Sequence, residues 1–192
     1  MNLPNKLTIL RIILVPFFVS AMLVEFPLHY LAALAVFAAA SITDLLDGKI
    51  ARKRGLITNF GKFSDPLADK ILVISALLCM VQLGICDCVI VIVVLFREFA
   101  VTSVRLLAAS EGKVVAANIW GKVKTVTQMS AIIIVFILQV VLEIFALNGI
   151  SIPTLSTVFF TIGEVLLWIS AVFCIISGVI YMIDNKEFIS MK

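Results

Sequence analysis

Long apolar stretches separated by short polar ones set the frame of this chain. Six runs rich in Leu, Ile, Val, Phe and Ala cover about residues 7–27, 30–51, 64–84, 87–108, 126–147 and 157–183. A helix needs about 20 apolar residues to cross a bilayer core, and each run meets that length. Hydrocarbon offers no partner to a backbone N–H or C=O, so the helix is the structure such runs must adopt. The pattern predicts an all-α integral membrane protein with six transmembrane helices, one membrane domain over residues 1–192 and the lipid bilayer as its solvent. The segment Ile12–Val24, behind Lys6 and Arg11, has the outline of a signal peptide. No small-x-small cleavage site closes it and Pro16 lies inside it, so it is read as a transmembrane helix that the proline can kink.

Charge then orients the bundle. Lys6 and Arg11 precede the first run. Lys49, Arg52, Lys53, Arg54, Lys62 and Lys70 surround the second–third connection, and Arg105, Lys113, Lys122 and Lys124 the fourth–fifth. Lys186 and Lys192 close the chain, while the other three connections hold no Lys or Arg and offer Glu25, Asp87 and Glu143. The positive-inside rule puts both termini in the cytoplasm. Arg97, inside the fourth run, is the one basic residue outside this pattern.

Composition excludes much else. With 62% hydrophobic residues and a mean hydropathy of +1.21, the chain leaves no room for a sizeable soluble domain. The net charge of +3 adds nothing beyond orientation, and no nucleic-acid partner is expected. One histidine, His29, and four cysteines with no CxxC pair (Cys79, Cys86, Cys88 and Cys174) argue against zinc. The cysteines read as small apolar filler, with a Cys86–Cys88 disulfide near an outer loop left open.

The stretch from Thr43 to Lys70 carries the chemistry. Asp44 and Asp47 are three residues apart near the end of the second helix, and Asp65 and Asp69 four apart near the start of the third. Those spacings put each pair on one helical face, and a short connection returns one pair towards the other. Four carboxylates together need cations or protons between them, and oxygen-only clusters suit Mg²⁺ or Mn²⁺. Two such metals can clamp the attacking and leaving oxygens of a phosphoryl displacement. The bland alternative has each aspartate pairing with nearby Lys and Arg, and Asp65 capping a helix ahead of Pro66. Gly48, Ala51 and Gly61 keep the surface low enough for a nucleotide or, equally, for close helix packing. Arg52 can grip a phosphate with two parallel hydrogen bonds.

The ordered set Asp44-x-x-Asp47-Gly48-x-x-Ala51-Arg52, eight residues, then Gly61-x-x-x-Asp65-x-x-x-Asp69 resembles the signature of the CDP-alcohol phosphatidyltransferases, at all eight positions. The resemblance implies two divalent cations, Mg²⁺ or Mn²⁺, on Asp44, Asp47, Asp65 and Asp69. It implies a CDP moiety against Asp47, Gly48, Ala51, Arg52 and Gly61, and Asp69 as general base with Asp65 beside it. Asn5 and Thr8 either line the nucleotide end or merely begin the first helix. The family also implies a homodimer through membrane helices and a multi-pass place in the bacterial cytoplasmic (inner) membrane, with the active site at its cytoplasmic surface.

The acceptor alcohol is decided elsewhere. Pro4–Arg11, Arg97-Glu98-Phe99 with Ser103-Val104-Arg105, and Gly121–Thr125 with Gln128 resemble segments of bacterial phosphatidylglycerophosphate synthases. That implies CDP-diacylglycerol as donor and sn-glycerol 3-phosphate as acceptor, its phosphate on Arg97, Arg105, Lys122 and Lys124. Lys122 and Lys124 serve equally well as topology anchors against anionic lipid. Arg97 lies deep and needs a counter-charge, a wet cavity or a bound anion. Glu98, seven residues before Arg105, shares its face and is a candidate partner for it. Alternatives are a sister transferase with phosphatidylglycerol, serine, inositol or inositol phosphate as acceptor, and, from other classes, a metal-ion transporter or a lipid-binding scaffold. Carboxylates confined to two adjacent helices at one surface speak against a transporter path, and a scaffold leaves the full acid set unexplained.

Overall fold

The computed structural model describes residues 3–54, 59–113, 118–150 and 152–188; within these, the side chains of residues 3–4, 44–54, 59–63, 65, 66 and 69 are not described. The elements are α1 (Leu3–Leu23), α2 (His29–Arg54), α3 (Asn59–Gln82), α4 (Cys88–Ser110), α5 (Ile119–Leu147), α6 (Pro153–Asp184) and one 3₁₀ turn at Lys186–Phe188. No strand occurs among the described residues, and every expected apolar run has its helix.

The ends differ from the apolar pattern for physical reasons. α3 begins at Asn59 and α5 at Ile119, several residues ahead of the runs, because a helix can continue past hydrocarbon into polar sequence. α1 stops earlier than its run, at Leu23, where Pro27 and the positive φ of Leu28 (62°) turn the chain. Pro16 lies inside α1, whose helical assignment runs through it. α3, α4 and α5 share one ending. Gly84, Gly112 and Gly149 adopt φ of 70°, 74° and 71°, and the next amide reaches back five residues, as in Ile85 N–H to Met80 C=O at 2.8 Å. This is the Schellman ending, which favours glycine at the left-handed residue. Asp87 and Asn118 accept from Val89 and Trp120 N–H to cap α4 and α5.

The first turn of α2 is capped from elsewhere in the chain. Glu143 of α5 accepts the N–H of His29 on Oε1 (2.9 Å) and that of Tyr30 on Oε2 (3.1 Å). A carboxylate there also meets the positive end of the helix dipole.

By length and composition α1, α5 and α6 are apolar enough to cross a membrane, and α2 and α3 hold shorter apolar stretches. Arg97, Glu98 and Arg105 interrupt α4. Apolar side chains face outward all round: Phe17 is 63% exposed, Ile92 61%, Phe96 73%, Phe99 68% and Val126 64%. Water would not tolerate such a belt and lipid welcomes it, so this is a multi-pass helical membrane protein. Inside, α1 packs on both α2 and α3, and α6 on α4 and α5. Phe18, Phe37 and Phe136 join α1, α2 and α5 through rings 5.6–5.8 Å apart. Lipid tails are as apolar as the core, so close fit and internal polar contacts must hold the helices together.

All four cysteines are free thiols. Cys86 is buried in the α3–α4 turn, where burial, then the charges of Asp87, Cys88 and Glu164, push its thiol up to about 12. Cys88 beside it is exposed, so the disulfide left open by the sequence does not form here.

Glu143→Ala removes the acceptor for two backbone amides and should lower stability by about 1–2 kcal/mol, the usual scale of a lost cap. Glu143→Gln keeps one acceptor oxygen and should lose less. Unfolding in mixed detergent micelles, followed by circular dichroism, measures both.

Candidate functional site

The Glu143–His29 contact provides a common origin for measuring depth. At 1.5 Å per residue, Asp44 and Asp47 lie about 22 and 27 Å along α2 from His29, and Lys124 about 28 Å along α5 from Glu143. The backbone of the second-helix aspartates and the cations of α5 therefore reach the same level, close to one hydrocarbon thickness (about 30 Å) from the capped end.

The expected nucleotide and metal residues divide between two helices and a third. Asp44, Asp47, Gly48, Ala51 and Arg52 lie on α2, and Gly61, Asp65 and Asp69 on α3; their side-chain arrangement falls outside the described residues. Asn5 and Thr8 sit on α1, both buried, with Arg11 one turn further on and fully buried. All three have interaction partners. They continue the buried stripe of Val15, Phe18 and Met22, so α1 turns a polar end and an apolar remainder of one face into the bundle. Asn5 and Thr8 lie in the first two turns of α1. Sequence reasoning used Arg11 only for topology; its place in the stripe, three residues after Thr8 and four before Val15, was the available signal.

The second part of the site is fully visible. Glu98 of α4 is the centre of a charged cluster. Its Oε1 accepts from Arg97 Nη1 at 2.7 Å and from Lys124 Nζ at 2.8 Å, while Lys70 Nζ of α3 lies 3.7 Å from Oε2. Lys70 also donates to Thr102 Oγ1 at 2.6 Å, and Thr102 in turn donates to the Glu98 carbonyl. Arg97 reaches across to Ser177 Oγ on α6 at 2.9 Å. The side chains are largely enclosed: Lys124 is 8% exposed, Arg97 13% and Glu98 16%, with Lys70 more open at 31%. Among the described residues, three cations around one carboxylate leave two positive charges in excess. Donors also remain unused: Arg97 Nε and Gln128 Nε2 are buried with no hydrogen-bond partner among the described residues. Gln128 lies one turn from Lys124 on the same face of α5.

This cluster answers one expectation and corrects another. Arg97 has its counter-charge in Glu98. Glu98 does not pair with Arg105: Lys124 and Arg97 occupy it, because α5 brings Lys124 closer than the two turns of α4 that separate Arg105. Arg105 is exposed instead, with Nε 3.2 Å from Tyr181 Oη and its guanidinium 5.7 Å over the Tyr181 ring. Lys122 is exposed on α5, two residues from Lys124 and turned away from the cluster. Of the four expected acceptor cations, the structure gathers Arg97 and Lys124. Lys70, a topology charge in the sequence, and Glu98, there a partner for Arg105, complete the group; their place on different helices carried no one-dimensional signal.

Two glycines form the slot through which Arg97 runs. A Cβ on Gly178 would lie 3.1 Å from Arg97 Cγ, and one on Gly121 3.6 Å from Nη2. Gly178→Val should therefore displace Arg97 and reduce turnover by about tenfold or more, the cost of weakening one charge-assisted contact. Gly121→Ala should stay within about twofold, since an ordinary van der Waals contact costs little. Initial rates of purified variants, beside their thermal midpoints, distinguish the two.

The arrangement joins a carboxylate-rich pair of helices to an excess of buried positive charge, the requirements for handling more than one phosphate. Comparison with known proteins agrees. The CDP-alcohol phosphatidyltransferase family profile matches residues 1–176. A CDP-diacylglycerol–glycerol-3-phosphate 3-phosphatidyltransferase from Bacillus subtilis (strain 168) is 41% identical over 97% of this chain and 96% of its own. One of the same name from Rickettsia bellii (strain RML369-C) is 36% identical over 97% of both. A cardiolipin synthase (CMP-forming) from Oryza sativa subsp. japonica is 38% identical over 95% of this chain and 56% of its own. With the profile covering most of its length and relatives matched end to end, the chain belongs to the CDP-alcohol phosphatidyltransferase family.

Proposed function

We propose that this protein transfers the phosphatidyl group of CDP-diacylglycerol to the primary hydroxyl of sn-glycerol 3-phosphate, releasing CMP and phosphatidylglycerol phosphate. The observation that carries the reading is the double positive excess around Glu98 among the described residues, which matches the charge of a phosphomonoester. The names of the full-length relatives support the same pair of substrates.

Asp44, Asp47, Asp65 and Asp69 form an oxygen-only donor set suited to Mg²⁺ or Mn²⁺. Two such cations, held there, would supply neutralisation of the pyrophosphate charge. The CDP group lies along Asp47, Gly48, Ala51 and Arg52 of α2 and Gly61 of α3, with Asn5 and Thr8 closing the α1 side. Arg97 and Lys124 hold the acceptor phosphate, with the more exposed Arg105 and Lys122 at its entrance. Asp69 takes the proton from the acceptor hydroxyl as that oxygen attacks the lipid-linked phosphorus. Fixed positions for the phosphate and the base supply the orientation that phosphoryl transfer chiefly requires.

Phosphatidylglycerol as acceptor is the second reading; the rice relative is named a cardiolipin synthase. Its phosphodiester carries a single negative charge and would leave one cation of the cluster unmatched. In the membrane the six helices all cross, both termini are cytoplasmic, and the site opens at the cytoplasmic face of the bacterial inner membrane. The working form is a homodimer.

CMP release from CDP-diacylglycerol by the purified protein should require both glycerol 3-phosphate and Mg²⁺ or Mn²⁺, and stop with chelator. Asp69→Asn should lower kcat by about 10²-fold or more, the typical contribution of a general base, without loss of fold. Turnover with phosphatidylglycerol but not glycerol 3-phosphate would establish the second reading. Orientation has its own check: in intact cells, a membrane-impermeant maleimide should label Cys88 and leave Cys86 unmodified. Labelling only after the membrane is opened would reverse the topology.

A further inference from the structure

Lys70 has no role in the signature that first drew attention to this stretch, yet its ammonium sits in the cluster around Glu98. It follows Asp69 directly on α3. Its three donors find Thr102 Oγ1 at 2.6 Å and, more loosely, Glu98 Oε2 at 3.7 Å. Its side chain is the most open of the three cations, 31% exposed against 13% for Arg97 and 8% for Lys124. A cation needed only to neutralise Glu98 would be redundant, because Arg97 and Lys124 already bind that carboxylate at 2.7 and 2.8 Å. Among the described residues, Lys70 adds a positive charge beyond the two that bind Glu98 most closely, anchored by a neutral hydroxyl and open on one side.

We propose that Lys70 is a specificity-determining residue: the third cation of the acceptor site, positioned by Thr102 and Glu98 to bind the acceptor's phosphate. This rests on the reading of glycerol 3-phosphate as acceptor and deepens it. Lys70 and Asp69 are consecutive on α3, so the residue that holds the phosphate and the residue proposed as base share one stretch of helix backbone. Their backbone spacing on α3 bounds the separation between phosphomonoester and primary hydroxyl that an acceptor can span. Alcohols without a phosphate fail to engage Lys70, and phosphates on a longer chain exceed that separation. Glu98 is a positioning residue, drawing cations from α3, α4 and α5 to one point before the substrate arrives.

The test uses the full-length protein with Lys70→Met and Lys70→Arg. Initial rates of CMP release are measured against glycerol 3-phosphate, against CDP-diacylglycerol, and with inorganic phosphate as inhibitor. Lys70→Met should raise KM for glycerol 3-phosphate by about tenfold or more, as expected for losing one charge-assisted contact, and raise the inhibition constant of phosphate in parallel. KM for CDP-diacylglycerol should change by less than about twofold, because the donor binds through other residues. Lys70→Arg should keep the affinity for phosphate but narrow the preference for 3-hydroxypropyl phosphate over 4-hydroxybutyl phosphate, a change that a merely structural lysine would not produce. An unchanged KM for glycerol 3-phosphate in Lys70→Met, or an equal rise for both substrates, would overturn the assignment while leaving the acceptor reading in place. Wild-type protein that releases no CMP with glycerol 3-phosphate would remove both. If Lys70→Met does not fold, the phosphate inhibition and chain-length preference of Lys70→Arg decide the matter.

Discussion

A charge removed from water must find a partner, and the interior of this bundle is organised around that constraint. Glu98 lies where an isolated carboxylate would be expensive, and Arg97 and Lys124 would be equally costly without it. Bringing them together satisfies all three and draws α4, α5 and α6 to one point, since Arg97 continues to Ser177. The slot between Gly178 and Gly121 follows from the same need: a guanidinium can cross between helices only where the facing residues carry no side chain. Lys70 adds α3 through Thr102. The cluster is thus a structural junction first, and its surplus charge makes it a binding site as well.

The opposite end of the bundle is simpler. There the carboxylate of Glu143 is matched chiefly by backbone amides, with the His29 ring 4.0 Å away. Between the two ends, Phe18, Phe37 and Phe136 form an aromatic centre. Since lipid competes on equal terms for apolar contact, the polar junctions give the packing its register. The aromatic centre fills the space they define.

Much of this was legible in one dimension. Apolar run lengths specify six helices, and the distribution of Lys and Arg distinguishes the two ends. The spacing of Asp44, Asp47, Asp65 and Asp69 already points to the family that the comparisons establish. What the sequence did not carry was which polar residues of different helices meet. Glu98 shares a helix face with Arg105, yet packing gives it to Lys124, 26 residues away. Lys70 reads in the sequence as a topological charge alone, whereas the fold sets Thr102 and Glu98 beside it. Arg11 likewise read as an anchor near the surface, although its spacing with Thr8 and Val15 puts it on the buried stripe of α1. Helix ends were shifted for a related reason: hydropathy reports where lipid begins, while hydrogen bonding and glycine geometry determine where the helix stops.

The cap on α2 bears on how the protein is made. His29 and its acceptor are separated by 114 residues, so the ribosome must add about that many between them. At about 5–20 residues per second, that interval is on the order of ten seconds. Throughout it, the leading turn of α2 lacks its native acceptor and depends on interfacial water for its open amides. The early hairpin of α1 and α2 is therefore delivered to the membrane unfinished, and the arrival of the fifth helix completes it. A chain cut short before Glu143 would leave the insertion machinery with a hairpin unsealed at one end, a form that quality-control proteases can recognise.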